Sequence, residues 1–166
     1  LIVDNQQQRV DGYAKIDKSS DDESFMFAVS DVSSVYNGQL KSAKRGMALK
    51  DKSYTIIRDE FETLDKSTKI RWNMVTDANV ELHENHAKLI NNGKVLMLKV
   101  QGPDNLEMKT WSTAPTNNYD AENPGTIMVG FECEVSANTA QTLEVLLVPE
   151  DVAASATFVD KKLEEW

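Results

Sequence analysis

Apolar residues recur with a period near two over most of the chain, as at Tyr13, Ile16, Phe25, Phe27 and Val29. Alternation of this kind puts successive side chains on opposite faces of an extended strand, and the β-branched and aromatic content of these runs favours strand over helix. The pattern predicts strands near residues 1–4, 11–18, 24–30, 41–50, 53–61, 69–76, 79–83, 86–91, 94–102, 106–112, 126–136 and 140–149. Helical periodicity is scarce. Between these runs stand Asn37-Gly38, Lys50-Asp51-Lys52, Asn91-Asn92-Gly93 and Ser136-Ala137-Asn138, all tolerant of turn backbone, with Asn92-Gly93 the strongest hairpin signal. About a dozen short strands joined by close turns predict an all-β fold, an antiparallel β-sandwich over residues 1–152.

Two segments fall outside the alternation. Residues 112–125 hold two of the four prolines and no periodicity, which predicts an exposed loop. Residues 153–166 mix Phe158 and Leu163 with Lys and Glu, allowing a short helix or a frayed tail after the last strand.

Composition narrows the function classes. A chain of 166 residues with 40% hydrophobic content suits one domain around one core. Its formal charge of -9 repels an extended polyanion, which disfavours nucleic acid as a partner. A sulfated or uronic polysaccharide would meet the same repulsion, so a basic groove for one is expected mostly outside this chain. No apolar run approaches the ~20 residues that a membrane span needs. Cys133 is the only cysteine, which excludes an intrachain disulfide, and its apolar setting predicts a small buried core residue rather than a nucleophile. The chain opens without methionine at Leu1-Ile2-Val3, within a strand-like run, and so reads as a piece of a longer polypeptide.

The run Asp31-Val32-Ser33-Ser34-Val35-Tyr36, then Arg45, then Ile56-Ile57-Arg58-Asp59-Glu60, resembles the heparinase II/III family of polysaccharide lyases. The resemblance is to the C-terminal β-sandwich of those lyases and extends over about residues 1–150. Further landmarks follow in order: an opening strand Leu1-Ile2-Val3-Asp4-Asn5 leading to Gln8, then Arg71-Trp72-Asn73, Asn92-Gly93-Lys94, Trp111 and Leu146-Leu147-Val148-Pro149. The resemblance implies a parent enzyme that removes the C5 proton of a uronic acid and expels the 4-linked sugar by β-elimination. It implies an acid/base tyrosine and histidine supplied from outside this chain, by a missing N-terminal α/α-toroid and the first part of the sandwich. It also implies a metal, commonly zinc, bound with a histidine preceding Leu1, and a periplasmic or secreted setting. This chain alone would then be a non-catalytic support with no cofactor of its own. The alternative is an independent carbohydrate-binding sandwich, which would need an exposed platform of two or three aromatics.

Tyr36 and Arg45 are the candidate substrate contacts, since a tyrosine can stack or donate a hydrogen bond and an arginine can grip a carboxylate or sulfate at two points. The competing structural expectation is that Tyr36 buries its ring while Arg45 pairs with Asp31 or Asp59 across neighbouring strands. His83 and His86, the only histidines, fit a surface turn between two strands better than a zinc pair, because no third ligand is evident. Trp72 and Trp111 both lie in strand patterns, which favours core packing. Asp17 and the run Asp21-Asp22-Glu23 lack the spacing of a calcium loop and read as solvated.

Overall fold

The computed structural model describes residues 1–166 and contains twelve strands. In chain order these are β1 (Ile2–Val3), β2 (Lys18–Ser20), β3 (Phe25–Asp31), β4 (Leu40–Lys50), β5 (Tyr54–Thr63) and β6 (Thr68–Thr76). There follow β7 (Asn79–Leu82), β8 (His86–Asn91), β9 (Lys94–Gln101), β10 (Glu107–Ser112), β11 (Ile127–Val135) and β12 (Ala140–Pro149). All pairings are antiparallel, in a sheet of order β1-β6-β11-β10 and a larger one of order β2-β3-β4-β5-β12-β9-β8-β7. The chain is an antiparallel β-sandwich.

Turn chemistry sets the hairpins. Asp51 and Lys52 join β4 to β5 with φ of 49° and 54°, and Asn92 and Gly93 join β8 to β9 with φ of 51° and 74°. Two successive residues in the left-handed region match the right-handed twist of the flanking strands, which is why these short loops close without splaying the pair.

The alternation of side chains divides the larger sheet between two cores. Its inner face contributes Ile57, Phe61, Leu98, Val100, Leu143 and Val145, which pack with Ile70, Trp72, Val129, Phe131 and Cys133 of the smaller sheet. Trp72 and Phe131 are register partners whose rings stack, with centroids 5.9 Å apart and planes 4° from parallel. The outer face contributes Val29, Ala48, Ile56, Leu146 and Val148, and these are covered by the chain's own C-terminal segment through Leu163 and Trp166.

That segment is an irregular strap with one short 3₁₀ turn at Leu163–Glu165, and it ends with Trp166 only 7% exposed. Trp166 meets Phe25 and Phe27 edge-on at centroid separations of 5.1 and 5.9 Å. Gly46 makes room for it: a Cβ there would press into Leu163 Cδ2 and stand 2.9 Å from Trp166 Cζ3. The strap is also held by polar groups. Arg58, 8% exposed, donates from Nη1 to Glu144 (2.7 Å) and to the Val159 carbonyl (2.8 Å). The backbone amides of Val159 and Leu163 donate in turn to Glu144 (2.6 Å) and Glu60 (3.0 Å). A buried cation is tolerated here because its Nε and Nη1 donors meet the Glu60, Glu144 and Val159 acceptors.

The segment expected to be a strand over 11–18 differs from the pattern. Pairing begins only at Lys18, and Tyr13 and Ile16 are 76% and 65% exposed. Residues before it bond instead to the 3₁₀ turn Ser33–Tyr36, with Arg9 N donating to Val35 O at 3.0 Å and Tyr13 N to Ser34 Oγ at 3.0 Å. Gly12 lies against that turn so closely that a Cβ would sit 2.6 Å from Val35 Cα. Trp111 also departs from expectation. It is half-buried on the outer face of the smaller sheet, with the Arg71 guanidinium 4.5 Å from its ring centroid. No helix is long and apolar enough to cross a membrane.

Candidate functional site

Tyr36 closes the 3₁₀ turn between β3 and β4, and Gly38, with φ of 79°, turns the chain into β4. The phenol is 3% exposed. Its oxygen accepts from Gln8 Nε2 at 2.6 Å and from the Leu1 amine at 3.0 Å, and its hydroxyl faces the Leu1 carbonyl at 3.3 Å. Burial pushes the phenol up from its ordinary pKa, against the opposing effects of the Gln8 hydrogen bond and the Arg45 charge.

Arg45 stands on β4 directly opposite Asp59 on β5. Its Nε and Nη2 donate to the two carboxylate oxygens at 2.7 and 2.8 Å, a two-point pair that fixes the plane of the guanidinium. Asp31 is instead the register partner of Lys44 and bonds to Ser33, so it takes no part in this pair. The Arg45 side chain keeps 32% exposure while Asp59 keeps 4%, and Arg45 Nη1 carries no hydrogen bond. The Leu1–Gln8–Tyr36 hydrogen bonds and the Arg45–Asp59 pair make up one polar border, in which the Arg45 charge acts on the Tyr36 phenol. Its chemistry is that of a polar clamp: one oriented guanidinium edge beside a hydrogen-bonded phenol.

The histidines lie elsewhere. His83 and His86 flank the β7–β8 turn, at the opposite edge of the larger sheet from β3 and β4, and their rings stack at 4.3 Å. Burial and the neighbouring His83 lower the pKa of His86. No three His, Cys, Asp or Glu side chains converge as metal ligands. Asp22 serves its own turn, accepting from the Ser24 amide at 2.8 Å and its hydroxyl at 2.6 Å.

Two clusters escaped sequence reasoning. One is the Arg58–Glu60–Glu144 network, which borders a polar cavity of about 460 Å³ beneath the strap. The only hint was a charged Arg-Asp-Glu run inside an otherwise apolar strand. The other is Glu132, 6% exposed on β11, to which Lys69, Arg71 and Lys109 converge at 3.0, 2.7 and 3.2 Å. These cations come from the two strands flanking β11, which only the register reveals.

No protein-family model matches the sequence, and no curated protein matches it. Solved structures do share the fold. A chain described as Heparinase III-BT4657 gene product superposes with a TM-score of 0.62 at 18% identity, over 92% of this chain and 24% of its own. Heparan sulfate lyase HepC from Pedobacter heparinus superposes with a TM-score of 0.70 at 18% identity, over 89% and 23%. A further heparinase III gives 0.60 at 16% identity, over 82% and 21%. The protein is therefore a two-sheet antiparallel sandwich of the kind contained in heparinase III and heparan sulfate lyase structures. It spans about a quarter of the length of the first two of those chains.

Proposed function

We propose that this chain is the C-terminal sandwich of a heparinase III-like polysaccharide lyase, a support that forms one wall of a cleft for an acidic polysaccharide. The observation that carries the reading is the match of nearly the whole chain to a portion of heparinase III and heparan sulfate lyase chains. Family-like landmarks in the sequence, from Asp31 and Tyr36 to Arg58-Asp59-Glu60, support it independently of the fold.

On this reading the parent abstracts the C5 proton of a uronic acid and expels the 4-linked sugar, with the proton-transfer groups supplied by a preceding α/α-toroid. Arg45 then acts as a clamp. Asp59 holds its guanidinium plane, and the free Nη1 edge meets a carboxylate or sulfate at the cleft wall. Tyr36, buried at 3% exposure, supports that wall through Gln8 and Leu1. On the same reading the parent's metal, commonly zinc in such lyases, is held with a histidine outside these residues. The setting for such a substrate is periplasmic or secreted.

An independent glycan-binding module draws less support. Trp72 and Trp166 are 5% and 7% exposed and the Trp111 ring lies beneath Arg71, so the fully exposed aromatics are Tyr13 and Tyr119, on two separate irregular segments outside the strands.

The test is an ultraviolet assay for unsaturated uronic products across a polysaccharide panel, comparing the 166-residue chain with the longer natural polypeptide containing it. Activity is expected in the longer polypeptide alone, with Arg45→Ala raising KM more than it lowers kcat. Turnover by the 166-residue chain would overturn the supporting role.

A further inference from the structure

On the strap side of the larger sheet, register sets three side chains in one row across adjacent strands: Arg58 on β5 pairs with Glu144 on β12, and Glu144 pairs with Gln101 on β9. Thr142 stands two residues along β12, on the same face. The strap crosses this row at Phe158 and Asp160, and the space enclosed is the cavity of about 460 Å³, a size ordinary for a small-molecule pocket. Holding the strap accounts for part of the row, since Arg58 Nη1 and Glu144 bond to Val159. It does not account for the rest. Arg58 Nη2 carries no hydrogen bond, and it opens onto reachable space, because Gln39 Oε1 is the one enclosed side-chain polar atom of the chain without a partner. The side chains of Gln101, Thr142 and Asp160, which line the same cavity, make no hydrogen bond either. An outer face that is apolar at Ile56, Leu146 and Val148 thus turns polar at this level, with more donors and acceptors than the strap uses.

We propose that this cavity binds one uncharged monosaccharide unit, gripped at its hydroxyls. A hydroxyl both donates and accepts, which suits a wall where the Arg58 Nη2 donor, the Gln101 amide, the Thr142 hydroxyl and the Asp160 carboxylate stand together. Phe158 supplies an apolar wall for the hydrocarbon face of the ring. Charge selects within the class. One guanidinium against the carboxylates of Glu60, Glu144 and Asp160 leaves the site net negative, so a uronate or a sulfated sugar is repelled. The site therefore differs in ligand from the Arg45 border. It does not depend on the lyase reading, since it needs neither a toroid nor an acidic polymer. The cavity encloses a single unit, so no flat aromatic platform is required.

The test is nuclear magnetic resonance on the isotope-labelled 166-residue chain, titrated with glucose, galactose, N-acetylglucosamine and glucuronate. The Gln101 side-chain amide and the backbone amides of Val159 and Asp160 are expected to shift saturably with at least one of the neutral sugars. The expected Kd is on the order of 1 mM, as befits a ligand of about a dozen heavy atoms. Glucuronate is expected to bind about ten-fold more weakly. Gln101→Ala and Thr142→Val leave every strap hydrogen bond in place and should each weaken binding roughly five-fold. Gln101→Phe fills the cavity and should abolish binding. Unchanged Trp166 emission verifies that the strap stays seated in each variant. No saturable shift at those amides with any neutral sugar would overturn the site. So would glucuronate binding as tightly as glucose, or full affinity in both Gln101→Ala and Thr142→Val. Cleavage of uronic polysaccharide by the longer polypeptide bears on the lyase reading alone and is read separately.

Discussion

Arg45 and Asp59 face each other on neighbouring strands and share two hydrogen bonds of 2.7 and 2.8 Å, yet one side chain is 32% exposed and the other 4%. The asymmetry decides what each loss costs. Removing Arg45 leaves a buried carboxylate with no cation, whereas removing Asp59 frees a guanidinium that can still reach water. Arg45→Ala is expected to destabilise by about 3 kcal/mol, the lower end for a broken buried pair, and Asp59→Ala by less. The double substitution Arg45→Met with Asp59→Leu should cost less than Arg45→Ala alone, because no charge is stranded. Urea denaturation midpoints measure all three, and a double variant weaker than Arg45→Ala would refute the argument.

The strap depends on Gly46 in the same direct way. A methyl group there meets both Leu163 and Trp166, and the sheet backbone beneath cannot retreat, so the strap must lift. Gly46→Ala is expected to cost about 1–3 kcal/mol, as overpacking of a fitted site does. The sharper readout is local. Trp166 should gain acrylamide quenching and a red-shifted emission while the inter-sheet core around Trp72 keeps its own. Unchanged tryptophan fluorescence would mean that the strap accommodates the methyl group without moving.

Much of this architecture was legible in the chain because strands announce themselves by alternation and hairpins by residues that accept positive φ. The β8–β9 hairpin is an example: its Asn-Gly pair and flanking apolar runs leave little else to form. The partner of Arg45 was only half legible. Arg45 and Asp59 share the inner face because β4 and β5 pair residue 45 with residue 59, a register that no single run encodes. Residues 11–17 misled because Tyr13 and Ile16 look like strand positions, while Gly12 and the Ser33–Tyr36 turn capture the backbone first. Trp111 misled for a related reason. Aromatic content predicts a strand, but only the pairing with β11 shows that its ring points away from the core, towards Arg71. The strap was least legible, since its apolar residues follow no period and acquire meaning only against a surface built from β3, β4, β5 and β12.

Glu132 makes the acid limb of stability predictable. Burial alone would raise its pKa, but hydrogen bonds from Lys69, Arg71 and Lys109 overcome this and hold the carboxyl at about 2, against an ordinary value of 4.5. A carboxylate with a depressed folded-state pKa contributes stability that is fully present above its unfolded pKa and is lost as pH falls through the folded one. The contribution therefore fades between about 4.5 and about 2, and amounts to roughly 3 kcal/mol at most. Glu132→Gln should be less stable than the parent at pH 7, with the gap closing as pH falls across that window. A gap that stays constant with pH would show that packing, not charge, is what Glu132 supplies.

Cys133 offers a probe of the inter-sheet core that needs no substitution. It lies on β11 opposite Ile70, is 4% exposed, and burial pushes its thiol up to about 11. The reacting species is the thiolate, so the native side chain is protected twice, by access and by protonation. Labelling by an aromatic disulfide at pH 8 is expected to be far slower than that of an exposed thiol. It should proceed through transient opening of the sandwich and accelerate in parallel with the fraction unfolded as urea is added. Arg45→Ala destabilises the whole fold, so it should speed labelling in proportion to its effect on the unfolding equilibrium. Gly46→Ala acts on the opposite face of the larger sheet, and if the strap opens separately it should expose Trp166 without exposing Cys133. Rapid stoichiometric labelling of the native chain would place the thiol at the surface and contradict the inter-sheet packing around it.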